Sequence, residues 1–232
     1  APRHPGAHHF YIHMVESSGK AERGVPSADL LGELMPGSGH LRHMPSHIYA
    51  NVGRYADAVK VNEEAVALDD EYFAAYGKPT FYLNYYAHNI QFLVFGAMME
   101  GRKELSFQYV DKLENLITDP IIEMFAPFID GMNAMRFHNY IRFGMWEEIL
   151  AAPDYAEFRK ASRTMRRYAR TVALANLGRT NEARLELEKF DLAVDETPED
   201  WMIAFNTCEV VYGISRKVAE AEIYWREDDA PK

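Results

Sequence analysis

Apolar residues along this chain recur at spacings of three and four rather than at every second position. The pattern therefore predicts helices throughout and no strand. The helices fall in pairs around short polar turns that carry a glycine. A first pair covers about 6–17 and 21–34, with Gly19 between them and Pro36 closing the unit. A second covers about 45–52 and 55–69, with Pro45 at a helix start. A third runs from about 84 to 99, turns at Gly101 and continues to about 117. A fourth spans about 130–143 and Trp146 to Ala151 around Gly144, and a fifth about 160–176 and 180–193 around Gly178. A last helix, about 202–226, has no partner before the chain ends.

The turn glycines at 19, 53, 101, 144 and 178 are separated by 34, 48, 43 and 34 residues. The two wider gaps call for longer linkers at 69–83 and 118–129, and both of these contain proline. The stretch Gly39 to Tyr55, GHLRHMPSHIYANVGRY, carries histidines at 40, 43 and 47. Moved back 34 residues, His43 falls on His9, His47 on His13 and Gly53 on Gly19. The histidines thus recur in phase with the hairpins.

The turn sequences Gly53-Arg-Tyr-Ala-Asp-Ala58, Gly144-Met-Trp-Glu-Glu-Ile149 and Gly178-Arg-Thr-Asn-Glu-Ala183 resemble those of tetratricopeptide repeats, whose period is 34 residues. Ile149 departs from the small residue that this family places where its two helices pack closely. The resemblance implies an all-α, TPR-like helical-hairpin solenoid, with about five hairpins and a final helix, as a single domain over 1–232. The unpartnered last helix points to a piece of a longer array. More narrowly, His4-Pro-Gly-Ala-His-His-Phe-Tyr-Ile-His13-Met-Val-Glu16 and Gly39-His-Leu-Arg-His-Met-Pro-Ser-His-Ile-Tyr49 resemble a group of uncharacterised bacterial proteins of this family. That likeness implies a fold and no activity.

In tetratricopeptide repeats the first helix of each pair lines a concave groove, mainly through positions 2, 5, 9 and 12, with the turn glycine at 15. On that frame His9, His13 and Glu16 take 5, 9 and 12 of the first repeat, and His40, His43 and His47 take 2, 5 and 9 of the second. His88 takes 2 of the third and His138 takes 9 of the fourth. Seven of the nine histidines fall on groove positions, where random placement over a repeat would put about one. Imidazoles three and four residues apart share a helix face, so neighbouring hairpins can converge on one ion.

Neutral imidazoles with a carboxylate suit Zn, Cu or Fe, and also Mn or Ni. The expected ligands are His9, His13, His43 and His47, with Glu16 as ligand or general base. His40 and His88 complete the shell or form a second site, and His4 caps it from the N-terminal edge. The leading expectation is a transition-metal protein, a metal-dependent hydrolase or oxidase if it is an enzyme, with a small molecule or peptide as a further occupant of the groove. The competing expectation is a peptide-binding scaffold without metal. The carboxylate clamp of co-chaperone repeats uses Lys and Asn at positions 5 and 9, where this chain has His in the first two repeats and Gln91 and Phe95 in the third.

Several signatures are missing. His9-Phe-Tyr-Ile-His13 has the two-histidine spacing of a zincin helix but no Glu directly after the first His. One His-x-x-Glu falls short of the paired motifs of di-iron bundles, and there is neither a glycine-rich phosphate loop nor a Gly-x-Ser-x-Gly elbow. His8 and His138, taken singly, read as surface or satisfied core residues, and Met14, Met44, Met98 and Met99 as core filler. Tyr11 and Tyr49 point off the histidine face, while Tyr85, Tyr86, Tyr140 and Trp146 pack between repeats. Asp69, Asp70 and Glu71 read as a solvated helix end without the spacing of a calcium loop.

Composition narrows the partners. A net charge of −10 leaves no basic surplus for nucleic acid or an anionic membrane, and the four arginines within 163–170 read as a solvated face. Cys208 is the only cysteine, so neither an intrachain disulfide nor a thiolate metal cage can form, which favours the cytoplasm slightly. The longest largely apolar run, Ile90 to Met99, is about half of a membrane span. No signal-peptide pattern is visible, and the opening Ala-Pro-Arg without Met points to removal of an N-terminal portion.

Overall fold

The computed structural model describes residues 2–77 and 80–227, and these are overwhelmingly α-helical. The chain divides into two compact units, Ala1–Leu116 and Ile117–Lys232. No helix among the described residues is long and apolar enough to cross a membrane.

The first unit contains α1 (Pro5–Glu16), a 3-10 turn (Ala21–Gly24), α2 (Val25–Leu34), α3 (Gly39–His43), α4 (Pro45–Asn51), α5 (Tyr55–Tyr76), α6 (Thr80–Met99) and α7 (Lys103–Leu116). Pro45 lacks an N–H and so separates α3 from α4. Met44 between them stays helical, at φ −49° and ψ −37°. The helical path therefore reaches back to Gly39, six residues before the start expected at Pro45, and His40, His43 and His47 keep one face. On α1 the buried Ile12 and Val15 face the core, where they meet Ala28 and Leu31 of α2 and Met44, Ile48 and Tyr49. Each fully buried aliphatic side chain of this kind contributes about 1.5–3 kcal/mol. His9, His13 and Glu16 run along the adjoining stripe of α1.

Two expectations fail in this unit. The linker placed at 69–83 is largely helix, because α5 continues to Tyr76 and α6 begins at Thr80; residues 78 and 79 lie outside the described set. Asp69 is not a solvated helix end. It is 1% exposed in the interior of α5 and accepts from Tyr82 Oη and Asn89 Nδ2, both at 2.8 Å. Burial raises its carboxyl pKa, and these two hydrogen bonds offset part of the rise. Its carboxylate also fills the space where a Cβ on Gly39 would sit, 2.0 Å away. Met14 and Met99 are further corrections: both are exposed, whereas Met44 and Met98 are core.

The second unit contains α8 (Asp119–Ile129), a 3-10 turn (Gly131–Asn133), α9 (Met135–Arg142), α10 (Trp146–Ala151), α11 (Lys160–Asn176), α12 (Thr180–Asp195) and α13 (Cys208–Arg226). The linker placed at 118–129 is α8, bent at Phe125 just ahead of Pro127. The helix expected from 202 starts at Cys208. Before it, β1 (Met202–Ile203) and β2 (Asn206–Thr207) form a two-stranded antiparallel hairpin. The final helix is not alone, since Tyr212, Ala219 and Ile223 join the core built on Met165, Val172 and Phe190 of α11 and α12. The arginines of 163–170 are not a solvated face either. Arg166 is 7% exposed and donates to the Ala152 carbonyl, while Arg167 and Arg170 donate to the buried Glu186 at 2.8 and 3.0 Å.

Gly19, Gly53, Gly101, Gly144 and Gly178 all adopt positive φ, between 66° and 78°. The hairpin turns read from the sequence are thus left-handed glycine turns, which L-residues enter at a cost.

Candidate metal centre

Six histidines and one carboxylate meet in the first unit. His9, His13 and Glu16 come from α1, His40 and His43 from α3, His47 from α4 and His88 from α6. Their ring nitrogens and carboxylate oxygens form three groups of three donors lying within 4.8 Å of one another. The groups are His43, His47 and His88; His9, His13 and His40; and His13, Glu16 and His47.

The inner group is fixed by its neighbours. Asn62, buried on α5, donates its Nδ2 hydrogen to the Ala58 carbonyl at 2.7 Å. Its Oδ1 is thereby turned to His43 Nδ1 at 2.6 Å, so His43 Nδ1 carries the proton and donates. Ser46 Oγ lies 3.3 Å from the same nitrogen. His47 Nδ1 faces Glu16 Oε2 at 2.5 Å and likewise donates. In the neutral rings both Nε2 atoms then hold lone pairs, and they face each other at 3.0 Å, with His88 Nε2 3.4 Å from that of His47. Bare lone pairs at this range repel unless a cation stands between them. Burial above all, and then His47 and His88, hold His43 well below the usual imidazole range, so His43 does not itself supply a proton to this contact. Burial and neighbouring imidazoles push His88 down to about 4. Phe92, one turn after His88 on α6, packs its ring against His43, His47 and His88 at centroid distances of 5.0, 4.5 and 4.9 Å. It forms an apolar wall.

The outer group is more open. His9 and His40 face each other with Nε2 atoms 3.3 Å apart, and His13 is exposed. His40 Nδ1 is buried and has no hydrogen-bond partner. Its ring lies edge-on to Tyr85, with centroids 4.8 Å apart. Burial, and then His9, His13 and His47, push His40 down to about 4, and burial and His13 lower His9.

Glu16 links the two groups. One oxygen takes His47 Nδ1 and the other takes His13 Nδ1 at 2.7 Å. Burial raises its pKa, but the hydrogen bonds and charges of His47 and His13 outweigh that and hold it at about 2.

No protein family, curated protein or solved structure matches the chain.

Of the residues singled out in the sequence, His9, His13, Glu16, His40, His43, His47 and His88 are brought together. His4 is not. It is exposed and caps α1, its Nδ1 accepting from the Ala7 N–H at 3.3 Å. His8 spends its ring nitrogens on Ser27 and the Pro2 carbonyl, both at 3.0 Å, and His138 belongs to the second unit. Tyr49 points away from the histidines to Asp29, as expected. The sequence reading passed over Asn62, Ser46 and Phe92. Asn62 falls on the second helix of its hairpin, where no groove position is counted, and only tertiary packing aims it at His43.

Proposed function

We propose that this chain is built of tetratricopeptide-like hairpins and holds a divalent transition metal on the Nε2 atoms of His43, His47 and His88. The supporting observation is the commitment of both Nδ1 hydrogens, of His43 to Asn62 and of His47 to Glu16, which leaves two lone pairs facing each other at 3.0 Å. A tetrahedral ion bound at about 2.0–2.1 Å sets its donors about 3.3–3.4 Å apart. The separations of 3.0 and 3.4 Å fall close to that. An imidazole bound through Nε2 and anchored through Nδ1–H to a carboxylate or carbonyl is the usual arrangement of a ligating histidine. All-nitrogen donors suit Zn, Cu or Fe, and the near-tetrahedral spacing favours zinc.

Three protein ligands leave a coordination position for water or substrate. With zinc the ion would supply a nucleophilic hydroxide near neutral pH, the chemistry of a metal-dependent hydrolase; with iron or copper the open position suits oxidation. Glu16 orients His47 and His13 in this reading rather than acting as the general base. Both of its oxygens are already engaged, one by His47 Nδ1 and the other by His13 Nδ1, so neither is free to take a proton from a bound water. The test is metal analysis of protein purified without an affinity tag, beside a His43→Ala/His47→Ala double variant. Stoichiometric metal in the parent and little in the variant supports the reading; equal, near-zero metal in both refutes it.

A further inference from the structure

We infer that the chain holds a second ion of the same class, on His9, His13 and His40, with Glu16 joining the two centres. This rests on the reading of His43, His47 and His88 as the first ion site. Both triads cannot serve one ion. Donors of a single tetrahedral ion lie within about 3.4 Å of each other, and among the described residues no set of donors lying within 4.8 Å of one another holds more than three of these side chains. Only the group of His13, Glu16 and His47 takes members from both triads.

The outer triad repeats the features of the inner one. Its His9 and His40 Nε2 atoms are 3.3 Å apart, the separation that tetrahedral ligation requires. Its His13 is held through Nδ1 by Glu16 Oε1, as His47 is held by Oε2. A carboxylate that takes one Nδ1–H from each triad leaves the other nitrogen of both rings for metal. His40 departs from that pattern: its Nδ1 is buried with no hydrogen-bond partner among the described residues, so it would hold the ion through Nε2 without an anchor on the other nitrogen. The three rings come from α1 and α3, whose relative placement is set by the core of Ile12, Val15, Leu31 and Met44. The donors are therefore positioned by packing, before any ligand arrives.

The two sites differ in strength for a physical reason. The inner one is buried, walled by Phe92 and anchored by Asn62, whereas the outer one includes the exposed His13. Two divalent ions facing a single carboxylate also repel each other. The second ion is expected to bind about tenfold or more weakly than the first.

Native mass spectrometry and calorimetric titration of the chelated protein with Zn2+, repeated with Co2+ for its visible absorption, test the inference. The expected result is two ions per parent chain, and one ion at parent affinity in a His9→Asn/His40→Asn variant. The single variant His13→Ala, at an exposed position, should weaken only the second ion, which guards against a folding defect in the double variant; far-ultraviolet circular dichroism confirms both folds. One ion in the parent, unchanged in both variants, overturns the second site and leaves the first standing. Loss of all metal in a folded His9→Asn/His40→Asn variant means one shared site and also overturns it. No metal in the parent overturns both readings.

Discussion

The two units bury polar groups in opposite ways. In the second unit Asp130 is 0% exposed, yet it accepts from Arg159 Nε at 3.0 Å, from the Ser162 N–H at 3.0 Å and from Ser162 Oγ at 2.6 Å. Glu186 is similarly surrounded by Arg167, Arg170 and Lys189. Both of these buried carboxylates meet basic side chains of the protein, without any ligand. In the first unit, beside the buried Asp69 with its Tyr82 and Asn89 partners, imidazoles face one another through ring nitrogens: His43 and His47 Nε2 at 3.0 Å and His9 and His40 Nε2 at 3.3 Å. The same kind of hairpin thus carries a closed electrostatic network in one unit and an open set of donors in the other. A closed network supports structure; an open one invites a cation. Position within the hairpin is not what separates them. The positions that hold His9, His13, His43 and His47 in the first unit are Tyr168 and Val172 in the fifth hairpin, where they join the apolar core.

The sharpest test of this contrast removes one partner from each kind of interior. The His43→Ala/His47→Ala double variant should lose at least about 100-fold in metal affinity, read by competition with a chromophoric chelator. Asp130→Ala should leave metal binding intact and cost about 3 kcal/mol of stability, because it removes the nearest counter-charge of the buried Arg159 and leaves only Asp119, 3.4 Å away; chemical denaturation of the chelated protein measures it. If Asp130→Ala altered metal content, or if the histidine variant lost its fold instead of its metal, the contrast would be broken.

Glu16→Gln sharpens it further. It keeps the shape but removes the charge that orients His47 and His13, so metal affinity should fall about 10–100-fold.

Acid should weaken the metal-free protein through its first unit. The folded-state pKa of His40 and of His88 lies at about 4, below the ordinary imidazole value. As pH falls from about 6.5 to about 4 the unfolded chain takes up protons at these rings that the folded chain refuses, so stability falls across that window. The Glu16 carboxyl, at about 2 when folded, adds a further loss between its usual range and that value. Thermal melts of chelated protein at pH 7 and pH 5 should show a lower midpoint at pH 5, and added zinc should raise the midpoint at pH 7. The smallest effect belongs to the turns. Gly53→Ala places a Cβ in open space at φ 78°, so its cost of about 1 kcal/mol is backbone strain alone, with metal binding unchanged.

The sequence alone determined the helical class, all five turn glycines and the seven residues of the cluster. These depend on local rules: apolar spacing marks a helix face, a left-handed turn selects glycine, and residues three or four apart share a face. It could not determine that Pro45 begins a new helix without turning His40 and His43 away, nor that the stretches at 69–83 and 118–129 are mostly helix, since proline signals a break but not its consequence. Only the tertiary structure set Asp69 and Arg166 inside, brought Asn62 and Phe92 against the histidines, and left His4 outside as a helix cap. The reason is physical. Which ring nitrogen keeps its lone pair depends on what stands opposite the other one, and that partner comes from a different helix, at a distance no sequence spacing encodes.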